Sequence, residues 1–154
     1  MATTDEKVTK DPYLRAAIEQ ARKSLSEGGI PIGSVLVHAG EIIGRGHNCR
    51  VQTGSTIDHG EMNCLRNAGR LAAKVYRNST IYSTLSPCPM CSGAIVLYKI
   101  PRVVVGENRT FLGAEDYMRS QGIQVDVAQD EECIEMMSDF IKANPALWNE
   151  DIGV

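Results

Sequence analysis

Two cysteines three residues apart carry the first chemical signal, in Cys88-Pro89-Met90-Cys91. Residues i and i+3 share one face of a helix. Both sulfurs can therefore reach one point beside a helix start, where the positive end of the dipole favours thiolates. Alone, the pair has three readings: a redox couple, two inert buried thiols, or half of a metal site. A thioredoxin-like couple needs no histidine and sits near the start of its domain, whereas this pair follows three predicted strands. His59 tips the balance. It opens a predicted helix of its own, in His59-Gly60-Glu61, and neutral imidazole is the commonest metal ligand. A lone histidine at a helix start is more often a cap. With Cys88 and Cys91 it makes three ligands, one short of zinc's usual four. Three protein ligands with an open position form a catalytic zinc pattern, whereas a structural site is closed.

Glu61 supplies what such a site lacks. Two thiolates offset the zinc charge and leave a weaker Lewis acid than three histidines would. A nearby carboxylate compensates by taking a proton from the attacking water. The amino group of an aromatic amidine leaves poorly until the ring nitrogen and then the amine are protonated. One carboxylate can carry a proton between all three positions. An acid in the first turn of a helix is also what the macrodipole favours, so Glu61 has an ordinary reading beside the catalytic one.

The elements that must hold these residues follow from periodicity. Asp11-Pro12 starts a helix through about Ser26, with Leu14, Ala17, Ile18, Ala21 and Leu25 on its apolar face, and Glu27-Gly28-Gly29 ends it. Ile30–Val37 and Glu41–Gly44 predict a hairpin turning at Ala39-Gly40. A loop over Gly46–Asp58 leads to a helix from about His59 to Arg70. Strands are expected at Thr80–Thr84, Arg102–Gly106 and Ile123–Val127, and helices at Pro89–Tyr98, Ala114–Ser120 and Asp130–Lys142. Asn144–Val154 reads as a terminal tail. Strands alternating with helices predict an α/β domain, three-layered α/β/α around a mixed five-stranded sheet. The whole of 1–154 is expected to be one domain, with 1–10 a flexible tail.

Composition narrows the class of protein. The 154 residues are 43% apolar and 23% charged with a net charge of −3, ordinary values for a globular chain. No run of Lys or Arg marks a polyanion partner, so no nucleic acid is expected. No stretch approaches the roughly 18 apolar residues of a membrane span, and no leader-like apolar segment opens the chain. A soluble, cytoplasmic protein is the expectation. Five cysteines, an odd number without framework spacing, fit a reducing compartment.

His59-Gly60-Glu61 with Pro87-Cys88-Pro89-Met90-Cys91 matches the H-x-E…P-C-x-x-C signature of zinc deaminases at every position. The chain resembles the cytidine/cytosine deaminase superfamily, and its fungal-type free-base branch nearly end to end. The resemblance is carried by Glu27–Gly33, Gly44–Asn48, His59–Glu61, Thr84–Ala94, Val104–Asn108 and the closing Trp148–Gly153. It implies one zinc per chain on His59, Cys88 and Cys91, with Glu61 as the proton shuttle. The substrate it implies is cytosine, converted to uracil and ammonia by a homodimer.

The same resemblance implies a pocket. Asn48 would donate to the base carbonyl beside the Gly60 N–H, and Asp151 would accept from the exocyclic amine. Leu85, Phe111, Trp148 and Ile152 would enclose the ring, with Ser86 contributing its backbone. Val51 stands where the branch carries Phe, which implies a roomier outer shell. Rival readings are another free base (guanine or isocytosine), a tRNA adenosine deaminase, and an inactive zinc-binding scaffold. The intact Glu61 and open fourth position argue against a scaffold.

Overall fold

The computed structural model describes residues 8–154. The tail expected over 1–10 lies outside the described residues as far as Lys7. In chain order the elements are α1 (Pro12–Ser26), β1 (Gly33–His38), β2 (Glu41–His47), α2 (Arg50–Thr53), α3 (Gly60–Ala68), α4 (Ala73–Arg77), β3 (Ser79–Leu85), α5 (Pro89–Leu97), β4 (Arg102–Glu107), α6 (Glu115–Ser120), β5 (Gln124–Val127), α7 (Glu131–Ala143) and α8 (Pro145–Asp151).

Local chemistry accounts for the boundaries. The Asp11 carboxylate accepts from the Tyr13 and Leu14 amides, and Pro12 occupies the first helical position, where no N–H partner is needed. Asp130 caps α7 by accepting from the Cys133 N–H at 2.9 Å. The expected hairpin turns at Ala39 and Gly40, both with positive φ, as the favoured two-residue turn requires.

The five strands form one sheet in the order β2-β1-β3-β4-β5. β1 is antiparallel to β2 and β3, while β3, β4 and β5 run parallel. Alternation divides the strand residues between two cores. Val35, Val37, Tyr82 and Val104 pack with α1 and with Cys133 and Met136 of α7. Leu36, Ile81, Val103, Val105 and Val125 pack on the other face with Cys64, Ile95 and Met118 of α3, α5 and α6. The expected α/β/α layering is therefore present.

Glycine sets how closely the two helix layers approach. A Cβ at Gly33 would fall 2.0 Å from the Ala17 carbonyl oxygen, and one at Gly46 would fall 2.2 Å from the Cys64 backbone nitrogen. Neither backbone can step aside without moving its helix. Gly46→Ala should lower stability by about 1–3 kcal/mol through overpacking. That corresponds to roughly 2–4 °C in Tm for each kcal/mol, and thermal unfolding would measure it.

Four segments differ from the sequence reading. Leu25 is exposed and Ser24 fully buried instead, because the Ser24 hydroxyl donates to the Asn48 carbonyl at 2.6 Å. The expected loop over 46–58 contains the single turn α2. A further short helix, α4, precedes β3. The tail after Asn144 is the helix α8, begun by Pro145, with Trp148 and Asp151 buried. Among the described residues no helix is long and apolar enough to cross a membrane.

Candidate active site

The carboxyl ends of parallel strands are where α/β sheets build their crevices, and the site lies there. β3 ends at Leu85 and leads through Ser86 and Pro87 into α5. Cys88 is the N-cap of α5, and Cys91 sits in its first turn. On the same face of the sheet, His59 is the N-cap of α3 and Glu61 its second residue. Neither cap makes a side-chain capping bond, which leaves both side chains to point outward from the helix starts.

The three ligating atoms of His59, Cys88 and Cys91 lie within 4.8 Å of one another, and Cys88 Sγ is 3.4 Å from His59 Nδ1. Bonds of about 2.0–2.3 Å to one tetrahedral centre demand separations of this size. Cys91 is fully buried and His59 nearly so. The Cys91 thiol and the His59 ring hold the Cys88 thiol down to about 4 against the opposing effect of burial. The same sharing pushes Cys91 up. Burial works to lower the His59 pKa, but the Cys88 sulfur and the Asp151 and Glu61 carboxylates outweigh it and raise it to about 8. His59, Cys88 and Cys91 would hold a divalent ion as two thiolates and a neutral imidazole, a donor set that suits zinc. The residues fit the metal.

Glu61 is buried, and burial pushes its carboxyl above the ordinary range, against hydrogen bonds involving Cys91 and Ser83. The Ser83 hydroxyl donates to Glu61 Oε1 at 2.5 Å. Across the cavity, Asp151 Oδ1 accepts from Asn48 Nδ2 at 2.9 Å. It also lies 3.4 Å from the Arg50 guanidinium and 3.7 Å from His59 Nε2.

His59, Glu61, Leu85, Ser86, Cys88, Phe111, Asp151 and Ile152 line one cavity together with Ile32. All but Ile32 come from the residues singled out in the sequence. Its volume is about 20 Å³, room for about one water. Asn48, Gly60 and Trp148 stand outside that lining. Asn48 reaches it through Asp151. Gly60 packs against Ile32, which a Cβ would approach to 3.1 Å. Trp148 meets Phe111 edge-on, with ring centroids 5.7 Å apart. The Ser86 hydroxyl donates to Glu115 and accepts from the Gly113 N–H. Val51 is exposed on α2 and is not in the lining.

Three contributors gave little or no sequence signal. Ile32 accepts from the Asn48 N–H through its carbonyl, and lay unremarked inside a segment already matched to the family. Ser83 sits one residue before a matched segment. Arg50 looked like an ordinary loop residue.

A mixed sheet carrying a His-Cys-Cys centre, buried at His59 and Cys91 and half-buried at Cys88, beside a buried glutamate defines a zinc-dependent deaminase. The family model for the cytidine and deoxycytidylate deaminase zinc-binding region matches residues 7–107, and the chain belongs to that family. It is 55% identical over 141 residues to cytosine deaminase of Candida albicans, covering 91% of this chain and 94% of that one. It is 37% identical over 140 residues to the tRNA-specific adenosine deaminase of Bacillus subtilis, covering 84% and 87%. A solved structure from work on tRNA:A34 deaminases superposes with a TM-score of 0.64 at 26% identity, covering 75% of this chain and 96% of that one.

Proposed function

We propose that the chain hydrolyses the free base cytosine to uracil and ammonia. The observation that carries this is the small cavity with Glu61, His59, Cys88 and Asp151 together in its lining. The 55% identity to a fungal cytosine deaminase supports cytosine as the base.

Zinc bound by His59, Cys88 and Cys91, one ion per chain, supplies a Lewis acid. The rest of the chemistry falls to side chains. Glu61 takes a proton from the attacking water and passes it to the ring nitrogen beside the amine-bearing carbon. The water oxygen bonds to that carbon. Glu61 then takes the remaining proton from that oxygen and delivers it to the amine, the carbon–nitrogen bond breaks as the carbonyl forms, and ammonia leaves. Asp151 accepts from the amine in the substrate and repels the carbonyl of the product, which favours one over the other. Asn48 has a second amide hydrogen beyond the one given to Asp151, and with the Gly60 N–H it meets the base carbonyl. Leu85, Phe111 and Ile152 close on the ring, and Trp148 backs Phe111. An open depression of about 270 Å³ shares His59, Cys88, Asp151 and Ile152 with the cavity, and α8, which brings Asp151 and Ile152, serves as the lid over that entrance.

Exposed Tyr98, the C-cap of α5, lines a groove with Met62, Leu65 and Leu71. This apolar face supports a homodimer. The five free thiols suit the cytoplasm.

Ammonia release from cytosine, cytidine, guanine and isocytosine tests the reading. Turnover of cytosine should exceed that of cytidine by at least ~10²-fold in kcat/KM, since a ribose would displace the ring from its attack geometry. Comparable rates on the two would refute the enclosure. A preference for guanine would keep the mechanism and replace the substrate.

A further inference from the structure

We propose that Ser83 is a positioning residue for the reaction, its hydroxyl aiming the Glu61 carboxylate at the cavity. The inference rests on the reading of Glu61 as the proton shuttle.

Ser83 is fully buried on β3, paired with Ser34 on β1 and Val105 on β4. Its side chain shares a face with Ile81, which is part of the apolar core beneath α3 and α5. A hydroxyl among such residues costs stability unless it is satisfied. A small apolar residue would pack there without that cost.

Ser83 Oγ has two acceptors within reach, Glu61 Oε1 at 2.5 Å and the Leu85 carbonyl oxygen at 2.8 Å. The hydroxyl carries one proton. Given to Leu85 alone, it would brace the end of β3. Given to Glu61, it fixes one carboxylate oxygen and therefore the plane of the group.

Glu61 needs such a hold. It projects from the second position of a helix, with rotatable bonds between its backbone and the reacting atoms. It must meet three partners in turn: the water, the ring nitrogen and the departing amine. One oxygen pinned to the sheet leaves the other to serve all three from a constant position. A misplacement near 1 Å can cost about 10²-fold in rate, so a single hydrogen bond of this kind controls turnover without touching substrate.

The test compares kcat, KM, zinc content and thermal unfolding in Ser83→Ala, Ser83→Thr and Glu61→Asp, with and without Ser83→Ala. The alanine variant should keep zinc and KM while kcat falls about 10- to 100-fold. Threonine, which retains the hydroxyl, should restore most of the loss. In Glu61→Asp the shortened side chain no longer reaches Ser83, so adding Ser83→Ala should cost almost nothing more, the signature of a coupled pair. A brace for β3 would instead give the same loss in both backgrounds and a lower unfolding temperature. That result, or an alanine variant with wild-type kcat, overturns the proposal. If the alanine variant does not fold, Ser83→Cys, close in size and a weak donor, takes its place with the same expected loss. An active Glu61→Gln protein would remove the shuttle itself. Normal turnover in Ser83→Ala with an inactive Glu61→Gln would remove only the role of Ser83.

Discussion

Glu61→Gln should retain its zinc and its fold and lose at least about 10²–10⁴-fold in turnover, the usual contribution of a general acid–base group. The loss should reach the upper end of that range, because one carboxylate serves water, ring nitrogen and amine in succession. The amide is nearly isosteric and can still accept from Ser83, so packing around α3 is preserved. It cannot take up or release the proton. Steady-state ammonia release, with metal analysis on the same preparation, checks the claim. A glutamine variant that kept most of its activity would move the proton chemistry to another group.

The second large effect is loss of the metal. Wild-type protein should carry about one zinc per chain, and His59→Ala and Cys91→Ser should each carry far less, because two remaining ligands do not complete a three-point site. Turnover should fall with the zinc content. Stability should fall as well, since metal bound only by the folded state adds its binding free energy to folding. Elemental analysis and thermal unfolding of the two variants measure both. Stoichiometric zinc in each would show that other residues hold the ion.

Much of this site was legible because its chemistry is local in sequence. His59 and Glu61 share one helix start, Cys88 and Cys91 another, and the hydrophobic periodicity placed both helices correctly. The layered α/β order was equally readable from strands such as Arg102–Gly106 alternating with helical segments. What escaped notice depends on contacts distant along the chain. Leu25 fits the apolar stripe of α1, yet Ser24 goes inward because Asn48, on a different element, offers its carbonyl. The turn α2 and the helix α4 span 4 and 5 residues, too few for a period of 3.6 to register.

α8 was missed for a different reason. Asn144-Pro145 reads as a stop after α7, but proline at a first helical position starts a helix as readily as it ends one. Arg50 carried no signal at all. Its position against Glu150 and Asp151 exists only once the chain's last helix folds back over the hairpin's exit.

That return of the final helix has an evolutionary consequence. The stretch matched by the family model ends at Glu107 and already holds the metal ligands, Glu61, Asn48 and Ser86. Phe111, Asp151 and Ile152, which finish the walls, come afterwards. The residues that hold the metal and Glu61 therefore all lie in the earlier stretch, whereas the cavity walls are shared between the two, with Ile32 and Leu85 in the earlier and Phe111, Asp151 and Ile152 in the later. Substitutions confined to the later stretch can thus reshape three of the walls without altering any residue that holds the metal.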